Sequence, residues 1–125
     1  MPDYSNFKGT GVALITPFDK HLKVDYESLE GLIEHCIKGG VEMLVSMGTT
    51  GESVTLTPAE KNELLRFTVD KAKGKAQIIV GIGGNNTKEL MDELKNLNTS
   101  GIDGILSSSP SYNKPSQEGI FQHYK

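Results

Sequence analysis

The residues with the most chemical capacity in this 125-residue chain lie in one short stretch, "SMGTTGES", Ser46 to Ser53. Gly48 and Gly51 let the backbone turn tightly, so that N–H groups can face one point, and the Thr49 and Thr50 hydroxyls add donors there. Donors held by a rigid turn bind an anion without reorganising, which suits a carboxylate or a phosphate. The alternative is a turn whose threonines only bond their own backbone.

The other loops offer less. "GIGGNNT" looks superficially like a dinucleotide loop, but from Gly81 the G-x-G-x-x-G pattern needs a glycine where Asn86 stands. The phosphate-loop lysine pattern is absent. His21, His35 and His123 fall on a loop, a helix and the C-terminal helix, and Cys36 lies on an apolar helix face, so no metal-ligand spacing emerges. Asn85-Asn86-Thr87 and Asn98-Thr99-Ser100 match glycosylation sequons but read as chance matches without a secretory signal. "PSYNKPS" is a proline-bounded loop with one aromatic, Tyr112, whose simplest role is packing of its ring.

Four strand–helix units must position these loops. "GVALITPF" (Gly11–Phe18) is a buried-strand candidate stopped by Pro17, followed by a helix capped by Asp25 with apolar residues at Tyr26, Leu29, Leu32, Ile33, Cys36 and Ile37. Gly39 and Gly40 end that helix. "MLVSM" (Met43–Met47) predicts the second strand, and "TPAE" (Thr57–Glu60) carries a capping Thr, a Pro at the first helical position and a Glu at the third. "AQIIVGI" (Ala76–Ile82) is the third strand. Thr87 caps a third helix running to Gly101, "DGILSS" (Asp103–Ser108) is the fourth strand, and a fourth helix starts near Ser116. Strands separated by helices imply parallel pairing with right-handed crossovers, and the loops after the strands then collect function. A small doubly wound sheet and half of an eight-unit barrel both fit this pattern.

Composition narrows the setting. Thirteen basic against sixteen acidic residues give a net charge of −3, which argues against a nucleic-acid partner. No apolar run reaches the ~20 residues of a membrane span, and the N-terminal "MPDYSNFKGT" lacks the basic and apolar regions of a signal peptide. A single cysteine rules out an intrachain disulfide and points to a reducing, cytoplasmic setting.

Together, "GTGVALITPF", "VSMGTTGESVTLTPAEK", "VGIGGNNTKE" and "SYNKPSQEGIFQHYK" resemble the dihydrodipicolinate synthase family of pyruvate-dependent class I aldolases over almost the whole chain. The resemblance implies a (β/α)8 barrel, of which residues 1–125 would be the N-terminal half and a single partial domain. It also implies a reaction without metal or cofactor. Pyruvate forms a Schiff base with a lysine, becomes an enamine and attacks aspartate semialdehyde, on the route to lysine and diaminopimelate. In that reading Thr49 and Thr50 hold the pyruvate carboxylate, with Thr50 as the main donor. Thr49 relays protons between tyrosines, and Tyr112 reaches across to a neighbouring subunit of a homotetramer built as a dimer of dimers. The family's Schiff-base lysine belongs to a later strand and matches neither Lys114 nor Lys125, so the chain alone is expected to be inactive and to self-associate. An allosteric lysine site would draw on Ser53, Asn85 and Glu89, together with the positions of Val54, Pro58, Lys61 and Ser111. Ser111 and Lys61 depart from the tyrosine and histidine of lysine-sensitive members, so feedback inhibition is expected to be weak. The rival readings are a sister aldolase, such as N-acetylneuraminate lyase or a keto-deoxygluconate aldolase, and a non-catalytic half barrel that binds an anion.

Overall fold

The computed structural model describes residues 5–125. Four strands, β1 (Gly11–Ala13), β2 (Met43–Ser46), β3 (Gln77–Gly81) and β4 (Gly104–Leu106), form one sheet in the order β1-β2-β3-β4. Every pairing is parallel, with Gly11 opposite Met43, Leu44 opposite Ile78 and Val80 opposite Ile105. The helices α1 (Tyr26–Lys38), α2 (Pro58–Ala72), α3 (Thr87–Asn96) and α4 (Gln117–Tyr124) follow their strands in turn. A doubly wound sheet reverses its strand order at a switch point so that helices cover both faces. An order that runs one way, with right-handed crossovers, stacks its helices on one face, as a barrel does.

The core is the helix-facing side of that sheet. Side chains alternate along a strand, so Leu44 on β2 and Ile78 and Val80 on β3 share a face, and they are buried with Leu29, Ile33 and Cys36 of α1 and Leu64, Leu65 and Ala72 of α2. Thr68 is fully buried among them because its hydroxyl donates to the Leu64 carbonyl at 2.8 Å, which satisfies it within its own helix. The opposite face is open: Leu106, opposite Gly81, is 56% exposed.

Helix starts follow local chemistry. Asp25 caps α1, accepting from the Ser28 amide at 3.0 Å and its hydroxyl at 2.7 Å, and those bonds hold its carboxyl below the usual range. Thr57 and Glu60 form the reciprocal capping box of α2, with Pro58 in its first turn.

Several boundaries differ from expectation, each for an identifiable reason. β1 ends at Ala13, not near Phe18, although the Leu14 N–H still donates to the Val45 carbonyl at 2.9 Å. Pro17 has no N–H to continue the ladder, its carbonyl accepts from Asp25, and Phe18 pairs back with Val24. After α1 the left-handed residue is Gly40 (φ 83°), while Gly39 stays in the right-handed region. Asn86, not Thr87, caps α3, through its Oδ1 and the Glu89 N–H at 3.4 Å. Thr87 turns instead to His123, its hydroxyl 2.7 Å from Nδ1. α3 stops at Asn96, short of Gly101, where Leu97 goes extended and the Asn98 side chain accepts from the Ser100 N–H.

Candidate functional site

The site is built at the C-terminal ends of β1, β2 and β3. Beyond Ser46 the chain turns sharply through Met47 (φ 58°), which is buried. The turn lies directly on the end of β3: a Cβ at Gly81 would sit 2.7 Å from the Met47 carbonyl oxygen and 2.8 Å from Gly48 N. Only a glycine at position 81 admits that approach. On the other side a Cβ at Gly51 would meet the Leu14 carbonyl at 3.1 Å.

The turn is then locked from within. The Gly51 N–H donates to the Gly48 carbonyl at 3.1 Å and the Glu52 N–H to the Thr49 carbonyl at 3.0 Å. Glu52 is left-handed (φ 51°), and its carbonyl accepts from both the amide and the hydroxyl of Thr55 at 2.9 Å. From the segment after β1 the buried Thr16 hydroxyl donates to the Gly51 carbonyl at 2.6 Å. These bonds consume carbonyls. Among the described residues, the backbone N–H groups and hydroxyls of Thr49 and Thr50 find no hydrogen-bond acceptor, and both residues are exposed. A rigid turn with spent acceptors and free donors is ready for an anion.

A cavity of about 310 Å³ opens beside the turn, lined by Gly48, Thr49, Ser53, Gly83, Ser107 and Ser108 among others. A Cβ at Gly83 would lie 2.6 Å from Ser108 Oγ and 3.4 Å from Ser108 N, so the loops after β3 and β4 run close together here. Thr49 and Ser53 therefore share one cavity, whereas Thr50 is exposed beyond its lining. Tyr112 stands apart, 94% exposed at φ 64° in the loop after β4.

The positions read as a regulatory site separate in part. The Ser111 N–H donates to Asn85 Oδ1 at 2.9 Å, which joins the loops after β3 and β4. Glu89 is exposed on the first turn of α3, and Val54 is 94% exposed. Lys61 is drawn to Glu93 on α3 at 3.4 Å and lines, with Pro58, a separate cavity of about 330 Å³ between α2 and α3. The charge of Lys61 is thus answered by a carboxylate. Glu60 is bound by the Thr57 amide and hydroxyl, which hold its carboxyl below the usual range. Among the described residues no cluster of three or more His, Cys, Asp and Glu side chains is placed to hold a metal ion, and no helix is long and apolar enough to cross a membrane.

Sequence reasoning missed Thr16 and Gly81, which hold and admit the turn. Thr16 gave one signal, a hydroxyl residue just before the strand-stopping Pro17. Gly81 gave none distinguishable from the neighbouring Gly83 and Gly84.

A family model described as the Dihydrodipicolinate synthetase family matches residues 6–125. The chain is 50% identical over 120 residues to a 4-hydroxy-tetrahydrodipicolinate synthase of Parabacteroides distasonis, covering 96% of the chain and 40% of that relative. It is 44% identical over 120 residues to the synthase of Bacillus subtilis, covering 96% of the chain and 41% of the relative. The crystal structure of dihydrodipicolinate synthase from Thermotoga maritima superimposes with a TM-score of 0.90 at 41% identity, over 96% of this chain and 40% of that one. The chain thus spans about 40% of the length of these relatives.

Proposed function

The chain belongs to the dihydrodipicolinate synthetase family, and from that premise we propose that it supplies the carboxylate-binding half of an enzyme condensing pyruvate with aspartate semialdehyde. The observation that carries this reading is the locked turn after β2, with the Thr49 and Thr50 donors left free at the C-terminal end of a parallel sheet. A carboxylate placed there meets fixed N–H and O–H groups, so binding costs little reorganisation. In this reading residues 1–125 form one partial barrel domain. The imine-forming lysine is supplied from outside them, since Lys114 lies in an exposed loop, whereas a nucleophilic lysine needs a desolvated pocket.

Thr49 and Tyr112 divide the remaining work. Thr49 lines the cavity and its hydroxyl can both give and take a proton. Tyr112, which buries almost nothing against its own chain, reaches a neighbouring subunit in a cytoplasmic homotetramer, a dimer of dimers. Ser53, Asn85 and Glu89 form the lysine-responsive site. The Asn85 carboxamide is partly engaged by Ser111, which bears no aromatic wall, so inhibition by lysine is weak.

The test is borohydride trapping with pyruvate. The 125-residue chain alone should gain no reduced-imine mass, and a polypeptide of the relatives' length should gain it on a lysine outside residues 1–125. Thr50→Ala in the longer polypeptide should raise the pyruvate KM at least tenfold, as expected when a hydrogen bond to a charged group worth about 1.5–3 kcal/mol is removed. Turnover of N-acetylneuraminate in place of the condensation would move the protein to a sister aldolase, and absence of any imine would leave only anion binding.

A further inference from the structure

We propose that Asn85 is a positioning residue for Tyr112, holding the loop after β4 in the conformation that projects the phenol outward; the inference rests on the relay role of Tyr112 proposed above. The backbone at Tyr112 is unusual in two respects. Its φ of 64° lies in the left-handed region, which a bulky aromatic residue rarely adopts. The Asn113 N–H also donates to the Ser111 carbonyl at 2.7 Å, closing a three-residue ring around Tyr112. A bond from residue i+2 to residue i around a positive-φ centre is the rarer, strained form of γ-turn. Such strain persists only where the surroundings over-determine it.

The Tyr112 ring supplies no such constraint, because it is 94% exposed. Among the described residues, the segment from Ser109 to Pro115 makes one hydrogen bond to another part of the chain: the Ser111 N–H to Asn85 Oδ1, at 2.9 Å and 26 positions away. Ser111 is the residue immediately before the apex, and its carbonyl closes the γ-turn. Fixing its amide therefore fixes the Pro110–Ser111 peptide plane, which leads directly into the turn. Asn85 lies in the loop after β3, whose start is pinned where Gly81 meets the turn carrying Thr49. The tether thus fixes the direction in which Tyr112 leaves its own subunit, which is what a phenol that must meet a neighbouring subunit's site needs. A positioning error of about 1 Å in a reacting group can cost on the order of a hundredfold in rate.

The experiment compares Asn85→Ala, Asn85→Asp and Tyr112→Phe. Asn85→Ala removes the acceptor from an exposed residue, while Asn85→Asp retains an acceptor oxygen. Hydrogen exchange at the Ser111 amide is read in the 125-residue chain, with the β2 and β3 amides as the folding control. Condensation kinetics are read in a polypeptide of the relatives' length. In Asn85→Ala the Ser111 amide should exchange roughly tenfold faster or more, and kcat should fall roughly ten- to a hundredfold with little change in pyruvate KM. Asn85→Asp should recover both. Unchanged exchange in Asn85→Ala, or unchanged kcat alongside an impaired Tyr112→Phe, would overturn the positioning role. Full turnover in Tyr112→Phe would instead strike the relay reading itself, with Ser111 exchange still deciding whether Asn85 holds the loop.

Discussion

The loop after β2 is stitched to its surroundings by contacts that reach Leu14 and Thr16 just beyond β1 on one side and the end of β3 on the other. The loop after β4 meets another part of the chain through a single side-chain hydrogen bond over Ser109 to Pro115, among the described residues. Both carry a residue of the proposed chemistry, Thr49 in the first and Tyr112 in the second. In the reading proposed above, the difference follows from what each would recognise. A small anion would be bound best by donors that cannot move, and the backbone of the first loop is packed against neighbouring strand ends. A side chain that reaches toward another surface gains its contacts there, so the second loop is shaped by a strained turn and left exposed.

That contrast predicts graded costs. Gly81→Ala places a methyl group against the Met47 and Gly48 backbone, which cannot rotate away as a side chain would. It should destabilise the chain by about 3 kcal/mol, the upper end for overpacking, read as a lower urea midpoint. Loss of less than about 0.5 kcal/mol would mean the loop after β2 is no more fixed than the loop after β4. Thr16→Val keeps the shape but leaves the buried Gly51 carbonyl without its donor, and urea unfolding should register about 2 kcal/mol.

Thr57→Ala removes the α2 cap at the far end of the same connection, for about 1 kcal/mol at neutral pH. It should also flatten a pH dependence. The Glu60 carboxyl titrates below its ordinary value of 4.5, through the Thr57 amide and hydroxyl first. A depressed folded pKa gives stability that is present above the unfolded value and lost as pH falls through the folded one. The parent should therefore weaken in acid from the ordinary carboxylate range downward, and the variant less so; equal acid profiles would detach Glu60 from the cap. Tyr112→Phe stands at the other end of the scale. Its stability should stay within about 0.5 kcal/mol of the parent, because the phenol is exposed, while turnover in the longer polypeptide collapses.

Legibility in the sequence tracked locality. The α2 start was readable because the capping box is written in "TPAE", and the strand–helix alternation because each strand is an apolar run between turn residues. Adjacent cap-capable residues were harder: Asn86 and Thr87 both fit, and the asparagine, the stronger capping type, took the role. Strand order could not be read from periodicity, since barrel and doubly wound units share it. The site was half visible. Gly48, Thr49, Thr50 and Gly51 pointed to the turn proposed to hold an anion, but its supports come from elsewhere in the chain, Thr16 from the loop after β1 and Gly81 from the end of β3. The tie from Asn85 to Ser111 spans two loops that only the folded sheet brings together.

The one-way strand order has a consequence for how the molecule comes into being. Each strand pairs with the strand one unit before it, β2 on β1, β3 on β2 and β4 on β3. During synthesis, an emerging strand finds its partner already made, and the helix just completed can lie down over the pair. Among these four strands none has to wait for a distant segment to find its preceding neighbour, so contact distances stay short for a parallel sheet, and the entropy of loop closure is met in modest instalments. The turn after β2 would then acquire its support from Thr16, just beyond β1, first and its fit against Gly81 only when β3 arrives, so the ribosome would deliver its parts in the order in which they depend on one another.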